Sequence, residues 1–135
     1  MSGIILDTSV IIAFEKGRLD LDAWFDSLAP DDAAAAIASI TVSELLHGVE
    51  RDASPRAPAR KAWLNELIAS FSVLDFDEEC ARVHSELWAG LEKAGRPIGA
   101  HDMLIAATAL RHDMRVATFN LKDFKRVPHL EVISP

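Results

Sequence analysis

Apolar residues recur along this chain in two alternating rhythms, short continuous runs and longer stretches with helical spacing. "IIL" (Ile4 to Leu6) is a β-branched run that reads as a buried strand. "TSVIIAFEKG" then reads as a helix, with Thr8 or Ser9 as its cap and Gly17 as its stop. "LDAWFDSL" (Leu21 to Leu28) sets Leu21, Trp24, Phe25 and Leu28 on one helical face. "PDDA" turns the chain. "AAAIAS" (Ala34 to Ser39) is ambiguous because alanine favours helix. The turn before it and the capping signal after it make it a buried strand. "TVSELLHGVER" (Thr41 to Arg51) reads as a helix opened by T-x-x-E, with Thr41 and Glu44 as a capping box. "DASPRAPAR" (Asp52 to Arg60) is a two-proline loop, followed by a long helix to about Ser70. "SVLDF" (Ser72 to Phe76) is the next strand. "DEECARVHSELWAGLEKAG" is an amphipathic helix with Ala81, His84, Leu87, Trp88 and Leu91 near one face, stopped by Gly95. "RPIG" is a loop and "AHDMLIAATALRHD" a strongly apolar helix. "RVATF" is a strand, "NLKDFKRV" a loop holding one helical turn, and "LEVIS" a last strand.

Strands alternate with helices throughout, which implies parallel strands joined by helical crossovers: an α/β fold with helices on both faces of one sheet. A length of 135 residues suits one domain spanning 1–135, and no repeat or linker divides it. Ligands of such folds gather at the carboxyl ends of the strands. Asp7 ends the first strand, and Glu44 falls in the first turn of the helix after the second. Asp102 falls in the first turn of the helix beginning near Ala100, and Asn120 and Asp123 lie just past "RVATF". Each has a plainer role when taken alone. Asp7 suits a helix cap, Glu44 a capping box, Asp102 the positive end of a helix dipole, and Asp123 a turn cap. Brought to one edge, these carboxylates repel and cannot all stay ionised unaided. A hard divalent cation resolves that conflict. Mg²⁺ is held by few carboxylates, keeps several waters, and stabilises charge on a phosphoryl oxygen.

Half the residues are hydrophobic and about a quarter charged, so the chain is globular rather than disordered. No apolar run is long enough for a membrane span, and the N-terminus lacks the basic region of a signal peptide. One cysteine, Cys80, cannot form an internal disulfide; it reads as a packing residue in a cytoplasmic protein. With His47, His101 and the other histidines scattered, neither a zinc pattern nor a His-based nucleophile arrangement emerges. Trp24, Trp63 and Trp88 read as core or interface residues. The net charge of −7 is unhelpful for a simple nucleic-acid-binding module. It is compatible with an enzyme whose acids hold a cation, and it would attract a basic partner peptide.

Four blocks, "IILDTSVII", "ITVSELLHGV", "IGAHDMLIAATAL" and "ATFNLKDF", together resemble the PIN-domain ribonucleases, most of all the VapC toxins of bacterial toxin–antitoxin pairs. They span nearly the whole chain in the family's order. The resemblance implies a three-layer α/β/α sandwich with a mostly parallel sheet and RNA cleavage dependent on Mg²⁺ or Mn²⁺. It also implies a VapB-type antitoxin and a homodimer. The family's acidic positions fall on Asp7, Glu44 and Asp102. The fourth, usually an acid, falls on Asn120, whose amide oxygen can ligate without the charge, and Asp123 is placed to compensate at longer reach. Thr8, Ser9 and Thr118 match small hydroxyl positions that steady the carboxylates. Hydrolysis at such a site would leave 5′-phosphate and 3′-hydroxyl ends. Lys122, Lys125 and Arg126 are the first candidates to hold RNA, ahead of Arg51, Arg56, Arg60 and Lys61. Phe14, Leu21, Trp24, Phe25 and Leu28 offer an antitoxin groove or ordinary core packing. Two rival readings stand beside this one. The first is a catalytically silent PIN-like binding domain, which Asn120 favours. The second is an aspartyl-phosphate phosphotransferase, which needs a second acid where Ser9 stands.

Overall fold

The computed structural model describes residues 3–29 and 34–135, so the turn expected at "PDDA" lies outside the described residues. The strands are β1 (Ile4–Leu6), β2 (Ala35–Ala38), β3 (Ser72–Leu74), β4 (Arg115–Ala117) and β5 (Val132–Ile133). The helices are α1 (Thr8–Glu15), α2 (Leu21–Asp26), α3 (Ser39–Glu50), α4 (Ala57–Ala69), α5 (Glu78–Lys93), α6 (Ala100–Arg111) and α7 (Leu121–Phe124). The sheet order is β3-β2-β1-β4-β5, with every neighbouring pair parallel. Register places Ile5 beside both Ala36 and Val116, so β1 is the central strand. All three of its residues are fully buried, as a continuous apolar run in a two-sided parallel sheet should be.

Alternation along the strands divides the core in two. Ile4, Leu6, Ile37 and Ala117 pack with Val10, Ile11, Leu21, Leu45, Val49 and Leu64 from α1 to α4. Ile5, Ala36, Ala38 and Val116 pack with Leu87, Leu91, Ile105, Ala106, Ala109 and Phe124 from α5 to α7. The result is the α/β/α sandwich. Cys80 is fully buried in α5 and its thiol is pushed up by that burial, in keeping with a packing role.

Several expectations are corrected. The alanine-rich segment is a strand, but β2 runs straight into α3, which starts at Ser39 with Ala38 as its N-cap and no side-chain cap. Thr41 and Glu44 are therefore not a capping box, and Glu44 lies in the second turn rather than the first. Asp7, not Thr8 or Ser9, holds the N-cap position of α1. The loop before α4 is shorter than expected because Pro58 fits the first helical turn, where a missing N–H costs nothing. On α5 the buried positions are Cys80, Leu87 and Leu91, whereas Ala81 and Trp88 are exposed. Trp88 instead continues a surface aromatic row, Phe76–His84–Trp88, with ring centroids 5.6 and 5.7 Å apart.

Candidate active site

The connections that follow the neighbouring parallel strands β1 and β4 run to opposite sides, from β1 toward β2 and from β4 toward β5. That divergence opens a crevice at their carboxyl ends, where open α/β sheets place ligands. Asp7 follows β1 and Thr118 follows β4, and both are buried. Thr118 Oγ1 donates to Asp7 Oδ2 at 2.7 Å, and Ser9 Oγ donates to the same oxygen at 2.7 Å. Asp7 makes no side-chain cap bond to α1. Its carboxylate is held by hydroxyls, so the plainer reading of Asp7 as a helix cap fails on geometry. Ser9 Oγ in turn accepts the Phe119 N–H at 3.1 Å, and Thr118 Oγ1 accepts the Asn120 N–H at 2.8 Å.

Glu44 is steadied from α1. Thr8 Oγ1 donates to Glu44 Oε1 at 2.8 Å and shares a 3.1 Å hydrogen bond with the fully buried Thr41 hydroxyl. Thr41 was not recognised from the sequence as part of this support. The usable signal was a polar residue on the core-facing side of a helix, masked by its fit to a capping motif. His101 Nδ1 lies 3.5 Å from Glu44 Oε2, and both line an open cavity of about 350 Å³ with Ser43 and His47.

Asp102 sits in the first turn of α6. Asn120 Nδ2 donates to Asp102 Oδ2 and to Asp123 Oδ2, both at 3.1 Å. The NH₂ group of Asn120, with two donors, faces two carboxylate acceptors, and its amide oxygen is not used in either bond. Asp102 is pushed up to about 6, by burial first and then by the charges of Asp7, Glu44 and Asp123, with the Asn120 bond opposing. Four carboxylates therefore act on one small volume. Among the described residues no group of three or more Asp, Glu, His or Cys side chains stands close enough together to hold a metal ion as it is. The side-chain donors of the four acids are all oxygen, the preference of a hard cation.

The basic candidates separate clearly. Arg60 makes a two-bond pair with Glu15, 2.7 and 3.0 Å, and Lys61 pairs with Glu50. Arg126 Nη1 donates to the Pro97 carbonyl at 2.8 Å and lies 3.7 Å from Asp123 Oδ1, so it ties down the loop before α6. Lys122 and Lys125 are exposed on and just after α7. Among the early apolar residues, Leu21 is core, while Phe14, Trp24, Phe25 and Leu28 are partly buried against it. Phe14 also packs on the exposed Trp63 of α4 at 5.8 Å.

The PIN domain family model matches residues 4–130. The chain belongs to the PIN-domain family. Within it, "Ribonuclease VapC" from Rickettsia bellii is 38% identical over 98% of this chain and 96% of its own. The "tRNA(fMet)-specific endonuclease VapC" from Salmonella typhimurium is 33% identical over 71% of each chain. In the solved structure of DNA-bound VapBC from Salmonella typhimurium, the matching chain superposes with a TM-score of 0.86 at 29% identity, covering 99% of this PIN domain and 98% of that chain.

Proposed function

We propose that this PIN domain is a divalent-cation-dependent endoribonuclease and the toxin of a VapBC-type pair. The observation that carries the reading is the convergence of Asp7, Glu44, Asp102 and Asp123 at the sheet's switch point, where burial first and then the charges of the other three acids push Asp102 up to about 6. The names of the VapC relatives supply the reaction class. Mg²⁺, or Mn²⁺ in its place, would be held by Asp7, Glu44 and Asp102 with Asp123 in support. When bound it supplies a Lewis acid that lowers the pKa of water and stabilises charge on a phosphoryl oxygen.

The chain's own residues do the positioning. Ser9 and Thr118 both bond Oδ2 of Asp7, which fixes the carboxylate plane while Oδ1 takes no side-chain bond among the described residues. Thr8 does the same for Glu44 through Oε1. Asn120 spaces Asp102 and Asp123 by bonding both. Lys122 lies on the short helix that begins at this edge and Lys125 just after it, and both are placed to meet the phosphates of an RNA. The reading includes a VapB-type antitoxin, supported by structural neighbours solved as VapBC complexes, together with a homodimer and a cytoplasmic location. Among the described residues no helix is long and apolar enough to cross a membrane.

One observation favours a second reading, a catalytically silent PIN-like binding domain: the Asn120 amide already serves two of the acids without a cation. The deciding experiment incubates the purified, antitoxin-free protein with total bacterial RNA, including transfer RNA, in Mg²⁺, Mn²⁺ or chelator. New 5′ ends are then mapped. Discrete cation-dependent cuts bearing 5′-phosphates, lost in Asp7→Asn and Asp102→Asn, are expected. Products with 2′,3′-cyclic phosphates would remove the hydrolytic mechanism, and no cuts at all from folded protein would leave the silent domain.

A further inference from the structure

Among the described residues five large hydrophobic side chains are exposed, and two of them, Ile12 at 37% and Phe119 at 47%, line one cavity of about 410 Å³. Ala13 and Ser9 complete its floor, and Lys16 and Arg18 stand at it. We propose that this cavity is a nucleobase subsite: Phe119 stacks on one unpaired base of the RNA, and Lys16 and Arg18 hold a neighbouring phosphate. The inference rests on the nuclease reading and extends it to the substrate.

Three observations carry it. The first is position. Ser9 belongs both to the cavity and to the Asp7 network, bonding Asp7 Oδ2 at 2.7 Å and accepting the Phe119 N–H at 3.1 Å. Ser9 therefore links the cavity directly to the carboxylate cluster. The second is chemistry. A flat aromatic surface beside an aliphatic wall accepts any base by stacking. The third is charge. The chain carries −7 overall, and Arg60, Lys61, Arg82, Arg111 and Arg126 are paired with acids. Lys16 and Arg18 are in no ion pair among the described residues, and both are exposed. Their backbone is fixed where α1 ends: Gly17 takes φ +71, and the Arg18 N–H bonds the Ala13 carbonyl at 2.8 Å. An apolar platform with two cations that make no ion pair among the described residues is complementary to the base and phosphate of a nucleotide of single-stranded RNA. A base inside an A-form duplex has both faces stacked and cannot use it.

The test reads binding in chelator, where no cleavage is needed. The probe is a short single-stranded RNA of mixed sequence carrying one 2-aminopurine, whose fluorescence falls on stacking. Wild type is expected to bind with quenching. Phe119→Ala is expected to bind about tenfold more weakly and lose the quench, while Phe119→Trp keeps both. Lys16→Ala and Arg18→Ala are each expected to reduce the slope of log affinity against log salt by about 0.7. The same RNA annealed to its complement is expected to compete poorly. Unchanged affinity and quench in Phe119→Ala, or equal competition by duplex, overturns the proposal. So does a Phe119→Ala protein that binds RNA normally but escapes neutralisation by its antitoxin, since the cavity would then be a protein-docking site. Cation-dependent RNA cleavage that is indifferent to Phe119 would refute the subsite and leave the nuclease standing. Binding that depends on Phe119 in a protein that cuts no RNA would keep the subsite and refute the nuclease.

Discussion

Two halves of the carboxylate cluster are built on different principles. On the β1 side, Asp7 receives two hydroxyl bonds and Glu44 one, from Ser9, Thr118 and Thr8. On the α6 side, Asp102 receives one amide bond, faces three like charges, and is pushed up to about 6. The first half is set in place by neutral hydroxyl donors. The second is left in electrostatic conflict that a cation relieves. A site made only of the first kind would be rigid but indifferent to metal, and one made only of the second would not hold its geometry.

The comparison can be broken from the largest effect downward. Asp7→Asn and Asp102→Asn should each lower RNA cleavage by more than the roughly 10- to 100-fold that loss of a supporting group costs. Rates on a mapped substrate in Mg²⁺ check this. Stability should depend on pH through Asp102. Its carboxyl ionises near 3.8 in the unfolded chain and near 6 when folded. The folded state thus holds the extra proton between those values. The stabilisation it provides is fully present below about 3.8 and is lost as pH rises through about 6, a change of up to roughly 3 kcal/mol. Melting curves in chelator should show Tm falling over that window, the fall being absent in Asp102→Asn and reversed by Mg²⁺ above it.

Smaller effects sharpen the contrast. Thr118→Val keeps the volume but removes a bond to Asp7, and should reduce cation affinity or cleavage by about 10- to 100-fold with a pH profile like wild type. Cation titration by calorimetry, beside rate measurements, separates the two. Asn120→Asp replaces two hydrogen bonds with repulsion. It should lower Tm by several degrees in chelator, and raise the stabilisation by Mn²⁺ above that of the parent. A variant as stable as the parent in chelator would show that Asn120 does not tether the acids. Smallest of all, Lys122→Ala should weaken RNA binding a few-fold and reduce its salt slope by about 0.7, as read by fluorescence anisotropy.

The sequence made the layers legible because strand and helix periodicities alternate cleanly, and because β1 is apolar at every position. It misplaced the start of α3, since T-x-x-E is also what a buried Thr41 and a site Glu44 look like in one dimension. The acids were legible as strand-end and helix-start positions. Their supporting hydroxyls at Thr8, Ser9 and Thr118 were named, but the direction of the Asn120 amide was not. Which side of an amide meets a carboxylate depends on neighbours eighteen residues away in one direction and three in the other. Trp88 was misjudged because helical spacing alone does not say how wide the buried stripe is.

The central strand pairing has a consequence for when, during synthesis, the carboxylate of Asp7 acquires its support. Asp7 is completed by Thr118, 111 residues later, and β1 pairs with β4 across the same span. A ribosome adds about 5–20 residues per second. The first carboxylate therefore emerges seconds before the hydroxyl that orients it. While that stretch is being translated the chain has every helix up to α6 within reach but no finished crevice. A chain that cuts RNA would be built among ribosomes and transfer RNAs, and this order of strands would leave Asp7 without one of its two supporting hydroxyls until β4 and Thr118 have been made.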